Sequence, residues 1–169
     1  SQGVLHISRQ SVQFSRSSDI WVDVAAFHQL ARIGSDTEAR IESLEEAVGL
    51  YRGDLLDGFS IPDSAPFEEW ALLQRERLQR LLIEALERLS AWYVGQGRFE
   101  QAVAHAWRQV ELDPWREAAQ RQLMLALACS GRRGAALNQY EACRRLLVRE
   151  LGVEPAPETA RLFEQIRGG

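Results

Sequence analysis

The sequence predicts an all-α fold of about seven helices, arranged as antiparallel helix pairs, with a short β-hairpin at the N-terminus. Two observations predict the helices: apolar residues recur every three or four positions from residue 23 onward, and the chain resembles itself at an offset of 34 residues. A third observation, alternation of apolar and polar positions in residues 1–22, predicts short strands. We therefore expect a hairpin unit at 1–22 and a helical unit at 23–169.

The N-terminal unit is too small to fold alone. Its apolar positions are Val4, Leu5, Ile7, Val12, Phe14, Ile20 and Val22. A single hairpin is marginally stable in water, so these strands should pack on the helices or complete another domain.

After residue 22, residues typical of helix starts occur one after another along the chain. Asp23 is the expected N-cap of the first helix, and Ser35 with Glu38 forms a capping box for the second. The second helix then has a buried stripe of Ile41, Leu44, Val48 and Tyr51. A long third helix should begin after Asp63 or Ser64, with Pro66 in its first turn.

The internal repeat is the most informative feature of the sequence. The segment 97–102 aligns with 131–136, so that Gly97 pairs with Gly131 and Ala102 with Ala136. Leu89, Tyr93, Val103 and Leu112 align in the same way with Leu123, Leu127, Leu137 and Leu146. Each unit should be a helix, a tight turn at the glycine, and a second helix that approaches the first at a small alanine.

These units resemble the tetratricopeptide repeat, whose period is about 34 residues. The first unit has the expected residues at Leu89, Ser90, Tyr93, Ala102 and Pro114. The second keeps Leu123, Ala136 and Tyr140, but has Val148 in place of the proline. Asp113 and Pro114 should start the next helix, and a closing helix behind Pro155 and Pro157 should cap the stack.

Composition excludes several classes of function. The net charge of −4 offers no overall attraction to nucleic acid, although all twenty basic residues are arginine. Apolar runs are too short for a membrane span, and the first residues lack a signal-peptide pattern. We expect a cytoplasmic protein that makes no membrane contact and does not bind DNA by itself.

Residues with reactive side chains form no recognisable catalytic or metal site. His6, His28 and His105 have no acidic or thiol partner at ligand spacing, so we expect ordinary structural roles for them. Cys129 and Cys143 should be buried free thiols. We predict no catalytic residue, no metal and no cofactor, and therefore a protein that is not an enzyme.

Two further groups of side chains have a structural and a functional interpretation. Arg75, Arg77, Arg80 and Arg88 could bind an acidic partner, but Glu76, Glu84 and Glu87 lie among them, which favours a solvated, self-paired helix face. Trp70, Trp92, Trp107 and Trp115 could anchor a partner, but core packing is the default expectation.

Four segments together resemble a known family. They are Leu50–Leu56 (LYRGDLL), Glu69–Trp70, Gln96–Ala102 (QGRFEQA) and Glu150–Pro155 (ELGVEP). This set is similar to the bacterial transcriptional activator domain found in the regulators called SARPs and in related multidomain regulators. The resemblance implies that residues 1–22 join the helical domain at 23–169 to a winged helix-turn-helix outside this sequence, and that DNA is reached only through that domain.

The resemblance also implies a function and a candidate site. We expect a regulatory domain that mediates dimerisation, or contacts with its own DNA-binding domain and the transcription machinery, and so controls DNA binding. The alternatives are a generic peptide-binding repeat scaffold and a small-ligand sensor. In tetratricopeptide arrays the first helix of each pair lines a concave groove, which here would be lined by Glu84, Glu87, Ala91, Arg121, Leu125 and Ala128.

Overall fold

The computed structural model describes residues 5–7, 12–14, 21–32 and 37–169. Across these ranges two strands of three residues precede seven helices. The seven helices confirm the predicted all-α fold. The strands are β1 (Leu5–Ile7) and β2 (Val12–Phe14), and the helices are α1 (Asp23–Leu30), α2 (Glu38–Leu50), α3 (Ala65–Gly95), α4 (Phe99–Leu112), α5 (Glu117–Cys129), α6 (Arg133–Leu151) and α7 (Pro157–Gly168).

β1 and β2 pair antiparallel, with Leu5 opposite Phe14 and Ile7 opposite Val12. Nothing more is described of residues 1–20. The expected role of 1–22 as a hairpin junction to another domain therefore stays a prediction.

The two turns of the repeat have the same geometry 34 residues apart. Gly97 and Gly131 adopt positive φ values of 70° and 78°. The N–H that follows each glycine donates back into the preceding helix: Arg98 N–H to Tyr93 O at 2.9 Å, and Arg132 N–H to Leu127 O at 2.9 Å. This pattern ends a helix on a left-handed residue, a conformation that glycine adopts without a Cβ clash.

Consecutive helices pack on one another from α1 to α7, and α5 also contacts α3 and α7. From α3 to α7 the connections are three to five residues long, and connections this short make successive helices antiparallel. One row of helices, α3, α5 and α7, therefore lies side by side.

The core runs through the whole stack. Leu89 and Leu123, which the repeat pairs, are fully buried, and so are Ala102 and Ala136. An alanine at each of the latter positions lets two helices approach closely, because a longer side chain would hold them apart.

Three predicted helix starts differ from the structure. Val22 is the N-cap of α1, while Asp23 lies inside the first turn and accepts the Val24 N–H at 2.7 Å. α2 begins at Glu38 with Thr37 as its N-cap, and Ser35 of the expected capping box lies outside the described residues. α5 begins at Glu117, because residues 113–116 form a turn closed by Arg116 N–H to Asp113 O at 3.3 Å.

Burial also corrects two expectations about side chains. Trp70, Trp107 and Trp115 are roughly half exposed, and only Trp92 packs against the core. Trp107 illustrates the reason. It follows Val103 by four positions and precedes Val110 by three, which places it at the edge of the buried face of α4, so its ring is only partly covered. Cys143 is buried as expected, but Cys129 ends α5 and is exposed.

Candidate partner-binding groove

A groove of about 640 Å³ runs along the C-terminal half of α3. Its lining residues are Glu84, Glu87, Arg88, Ala91, Trp92, Gly95, Gln96 and Gln122. Apart from Gln122 of α5, these residues belong to α3 or, in the case of Gln96, form its C-cap, at spacings of three and four that place them on one face of the helix. The size is within the range of pockets that take a small molecule or the side chains of a peptide.

Gln122 is held in place at both ends of its amide. Its Nε2 donates to the carbonyl of Glu87 in α3 at 2.9 Å, and its Oε1 accepts from Gln109 Nε2 in α4 at 2.7 Å. Gln109 is almost completely buried. Three helices are thereby fixed relative to one another at the wall of the groove.

The groove has charged side chains at one end, Glu84, Glu87 and Arg88, and small residues at the other. Glu87 Oε2 accepts a hydrogen bond from Arg116 Nη2 at 2.7 Å, an ion pair between α3 and the turn before α5. Ala91 is exposed, and a Cβ built on Gly95 would meet nothing within 4 Å. The last carbonyls of α3 add partial negative charge near Gly95, so this end accepts close approach by a cationic or neutral group.

The structure brings together three of the six residues predicted to line the groove. Glu84, Glu87 and Ala91 lie in it. Arg121, Leu125 and Ala128 do not line this cavity. Arg121 Nη1 instead donates to Thr159 Oγ1 of α7 at 3.0 Å. Ala128 packs against the core cluster, and Leu125 is exposed. Partner binding at these six positions stays a prediction.

Sequence reasoning missed five of the lining residues, Arg88, Trp92, Gly95, Gln96 and Gln122. Arg88, Trp92 and Gln96 continue from Glu84 in steps of four, and Gly95 follows Ala91 by four, so continuing the helical spacing would have found them. Gln122 carries no such signal, because the register between α3 and α5 is a tertiary property.

A second polar cluster lies outside the groove, where α2, α3 and α4 meet. Glu45 Oε1 accepts the Tyr93 hydroxyl at 2.7 Å and lies 2.9 Å from His105 Nε2. The His105 ring stacks on Tyr93 with centroids 5.5 Å apart. Burial lowers the pKa of His105 by more than the nearby Glu45 carboxylate raises it. The neutral ring then carries its proton on Nε2, directed at Glu45.

One of the four arginines predicted to lie on a self-paired face of α3 contacts the loop that precedes the helix. Arg75 donates from Nε to Leu55 O at 2.7 Å and from Nη2 to Leu56 O at 2.9 Å, across the loop between α2 and α3. Leu56 has a positive φ of 54°, a conformation disfavoured for a residue with a Cβ. Arg75 thus fixes a strained loop instead of pairing with the neighbouring glutamates.

The described residues contain no group of three or more His, Cys, Asp or Glu side chains arranged to hold a metal ion. In the same part of the chain, no helix combines the length and apolar character needed to cross a membrane.

Comparison with known proteins gives the family. The sequence model of the bacterial transcriptional activator domain matches residues 22–167. The chain belongs to this family. The match runs from the start of α1 into the last turn of α7 and includes the groove, so the resemblance carried by LYRGDLL, QGRFEQA and ELGVEP is confirmed.

Relatives of this activator domain include named transcription regulators. The chain is 34% identical over 144 residues to the regulatory protein AfsR of Streptomyces coelicolor, covering 85% of this chain and 14% of AfsR. It is 32% identical over 140 residues to the transcriptional regulator RedD of the same species, covering 80% of this chain and 37% of RedD. The chain thus spans well under half the length of either relative.

One solved structure has a similar fold. Mycobacterium tuberculosis EmbR, in complex with a low affinity phosphopeptide, superposes with a TM-score of 0.58 at 23% identity. The match covers 97% of this chain and 43% of that chain. The similarity shows that the helical stack of this activator domain occurs in a longer protein.

Proposed function

We propose that this activator domain is a non-enzymatic regulatory module that controls DNA binding by a linked winged helix-turn-helix. It acts by dimerisation, or by contacts with its own DNA-binding domain and the transcription machinery. The observation that carries the proposal is the groove on α3, a preformed concave surface with acidic and apolar groups. The names of two relatives, a regulatory protein and a transcriptional regulator, support a role for such a surface in transcription control.

In this proposal the linked winged-helix domain contacts DNA, and the helical stack does not. A net charge of −4 gives the stack no general attraction for phosphates. The module would work in the cytoplasm, where a bacterial regulator meets its promoter.

A test of the groove uses a regulator in which the domain is joined to its winged helix. Ala91→Trp fills the groove at an exposed position, and Ala104→Trp adds the same ring at an exposed position on α4 that does not line it. We expect Ala91→Trp to reduce reporter activation strongly while Ala104→Trp leaves it near wild type. Equal activity of the two variants would show that the groove has no part in regulation.

A second candidate function, small-ligand sensing, is supported by another cavity of about 570 Å³ between α1, α3 and the loop after α2. Its apolar lining includes Val24, Phe27, Leu50, Leu55 and Leu78. A ligand that binds only the native state must raise the melting temperature. Absence of any shift across a metabolite screen would count against this candidate.

A further inference from the structure

An exposed apolar surface lies where the loop between α2 and α3 meets the first turns of α3. We call it the loop–helix surface and define it by Phe59, Ile61, Trp70 and Leu73, which are 41% to 52% exposed. None of these residues lines the groove on α3. Clusters of exposed large apolar side chains of this kind mark interaction sites in soluble proteins.

Aromatic contacts make the surface continuous. The half-buried Phe67 ring lies 5.7 Å from Phe59 in an edge-to-face contact and 5.8 Å from Trp70. Leu73 follows Trp70 by three positions and so extends the same side of the helix. The Ile61 N–H donates to Glu68 Oε1 at 3.3 Å, which holds the loop at the start of α3.

Hydrogen bonds from α3 hold the loop that carries Phe59 and Ile61. Arg75 binds the carbonyls of Leu55 and Leu56, and both Leu56 and Asp63 have positive φ values, of 54° and 58°. Strained residues of this kind persist only where surrounding contacts hold them, and they cluster at functional sites. A surface held in this way loses little conformational entropy when it binds a partner.

Charge identifies the kind of partner. The segment 52–77 holds six carboxylates and three arginines, so it carries −3 of the net charge of −4 for the whole chain. The carboxylates are Asp54, Asp57, Asp63, Glu68, Glu69 and Glu76, and the arginines are Arg52, Arg75 and Arg77. Four of these carboxylates, Asp63, Glu68, Glu69 and Glu76, lie within three positions of Ile61, Trp70 or Leu73, and we call them the acidic rim; Arg77 lies on the same side of α3. An isologous dimer through this surface would oppose two acidic rims, which is unfavourable.

We propose that the loop–helix surface binds a basic amphipathic helix of a partner protein. The apolar side of that helix lies on Trp70, Phe59 and Leu73, and its Arg or Lys side chains face the carboxylates of the rim. This goes beyond the function proposed for the groove, because it is a second surface with its own ligand chemistry.

The test measures binding of a fluorescein-labelled, 18-residue helical peptide of leucine and arginine to the 169-residue chain by fluorescence anisotropy. A peptide with glutamate in place of arginine is the ligand control. Trp70→Ser combined with Leu73→Ser removes the centre of the surface. Trp115→Ser is the matched protein control, because Trp115 and Trp70 are both 48% exposed. Circular dichroism checks that all variants keep their helices.

We expect the basic peptide to bind at least about tenfold more tightly than the acidic one, and the double variant to lose about tenfold in affinity. Trp115→Ser should change affinity by less than about twofold. Equal binding of the two peptides, or no loss in the double variant, overturns the proposal. It is also overturned if sedimentation equilibrium finds a dimer that the double variant converts to monomer, since the surface then belongs to a second copy. Failure of the Ala91→Trp test leaves this result unaffected.

Discussion

Gln109 in α4 donates from Nε2 to Gln122 Oε1 in α5 at 2.7 Å, inside the helix stack. Because Gln122 also donates to the carbonyl of Glu87 in α3, a single side-chain amide joins three helices. Buried polar groups that are fully paired in this way specify one arrangement of the helices around them. The wall of the groove therefore depends on a polar contact as well as on apolar packing.

Replacing Gln122 with leucine should destabilise the fold by about 1–3 kcal/mol, because it leaves the buried Gln109 amide without its acceptor. The double variant Gln109→Leu with Gln122→Leu should cost less than the sum of the two single variants, since neither partner is then left unsatisfied. Urea denaturation measures all three free energies of unfolding. Strict additivity would contradict a direct interaction.

The glycine at the turn of each repeat unit should be important for stability. Gly97→Ala should destabilise by about 1–2 kcal/mol, because alanine is strained at the φ of 70° found there. Gly134→Ala is the matched control: Gly134 lies in the first turn of α6, and a Cβ there meets nothing within 4 Å. Alanine at that position should stabilise by about 0.4–1 kcal/mol, because it restricts the unfolded chain. Thermal denaturation distinguishes the two signs, and a stabilised Gly97→Ala variant would contradict the turn geometry.

The predictions that were confirmed concern positions where the local backbone geometry requires a particular type of residue. Gly97, Gly131, Ala102 and Ala136 lie where the 34-residue offset predicted, because a turn and a close helix contact demand particular residue types. Asp113 failed as a helix start, because its own turn with Arg116 precedes the helix. A cap residue permits a helix start but does not compel one.

Tertiary relationships account for most of what the sequence did not reveal. Glu45 and His105 are 60 residues apart, and no spacing rule predicts their contact. Of the residues predicted to line a groove, Arg121 on α5 donates a hydrogen bond to Thr159 of α7 and does not line the cavity beside α3. Which face of α5 meets α3 depends on packing across helices, and a single sequence does not encode that register in any short pattern.

The polar cluster of Glu45, Tyr93 and His105 should make the stability of the fold depend on pH. Because burial lowers the pKa of His105 below the usual 6.5, the unfolded chain binds more protons than the native one at mildly acidic pH. Stability from this group is fully present above pH 6.5 and falls as the pH drops toward the native pKa. The charged groups that act on the ring are Glu45 and Arg108, of which Glu45 opposes the shift and Arg108 adds to it.

The measurement is the free energy of unfolding by urea between pH 7.5 and pH 5. His105→Gln should remove part of the loss on acidification while keeping a donor toward Glu45. The exposed His28→Gln variant serves as its control and should follow the wild type. Parallel pH curves for the wild type and His105→Gln would show that this ring does not titrate differently in the two states.

The two cysteines should react with thiol reagents at very different rates. Burial raises the pKa of Cys143 to about 11, so almost none of it is thiolate at pH 8. Cys129 is exposed at the end of α5. Ellman's reagent should therefore titrate one thiol quickly and the second only after guanidinium is added. In Cys129→Ser the fast phase should disappear, and two equally fast thiols in the native protein would contradict the burial of Cys143.

Docking of α7 should depend on Glu117. Its carboxylate accepts the Ala156 N–H at 3.0 and 2.9 Å and the Thr159 hydroxyl at 2.5 Å, just where α7 begins. Thr159 is fully buried, so Glu117→Ala leaves its hydroxyl with one partner fewer and should cost about 1.5–3 kcal/mol. Amide exchange across 157–168 should speed up more than exchange in α4.

Glu158→Ala is the control for this change, because it removes a carboxylate from α7 whose ion pair with Arg161 is largely exposed. Pairs of that kind contribute little, so stability and exchange should stay close to wild type. If Glu117→Ala and Glu158→Ala leave exchange in α7 equally unchanged, the helix is held by apolar packing, such as the stack of Phe163 on Tyr140 at 4.2 Å. Faster exchange in Glu117→Ala alone means that a polar contact from α5 positions the last helix of the row.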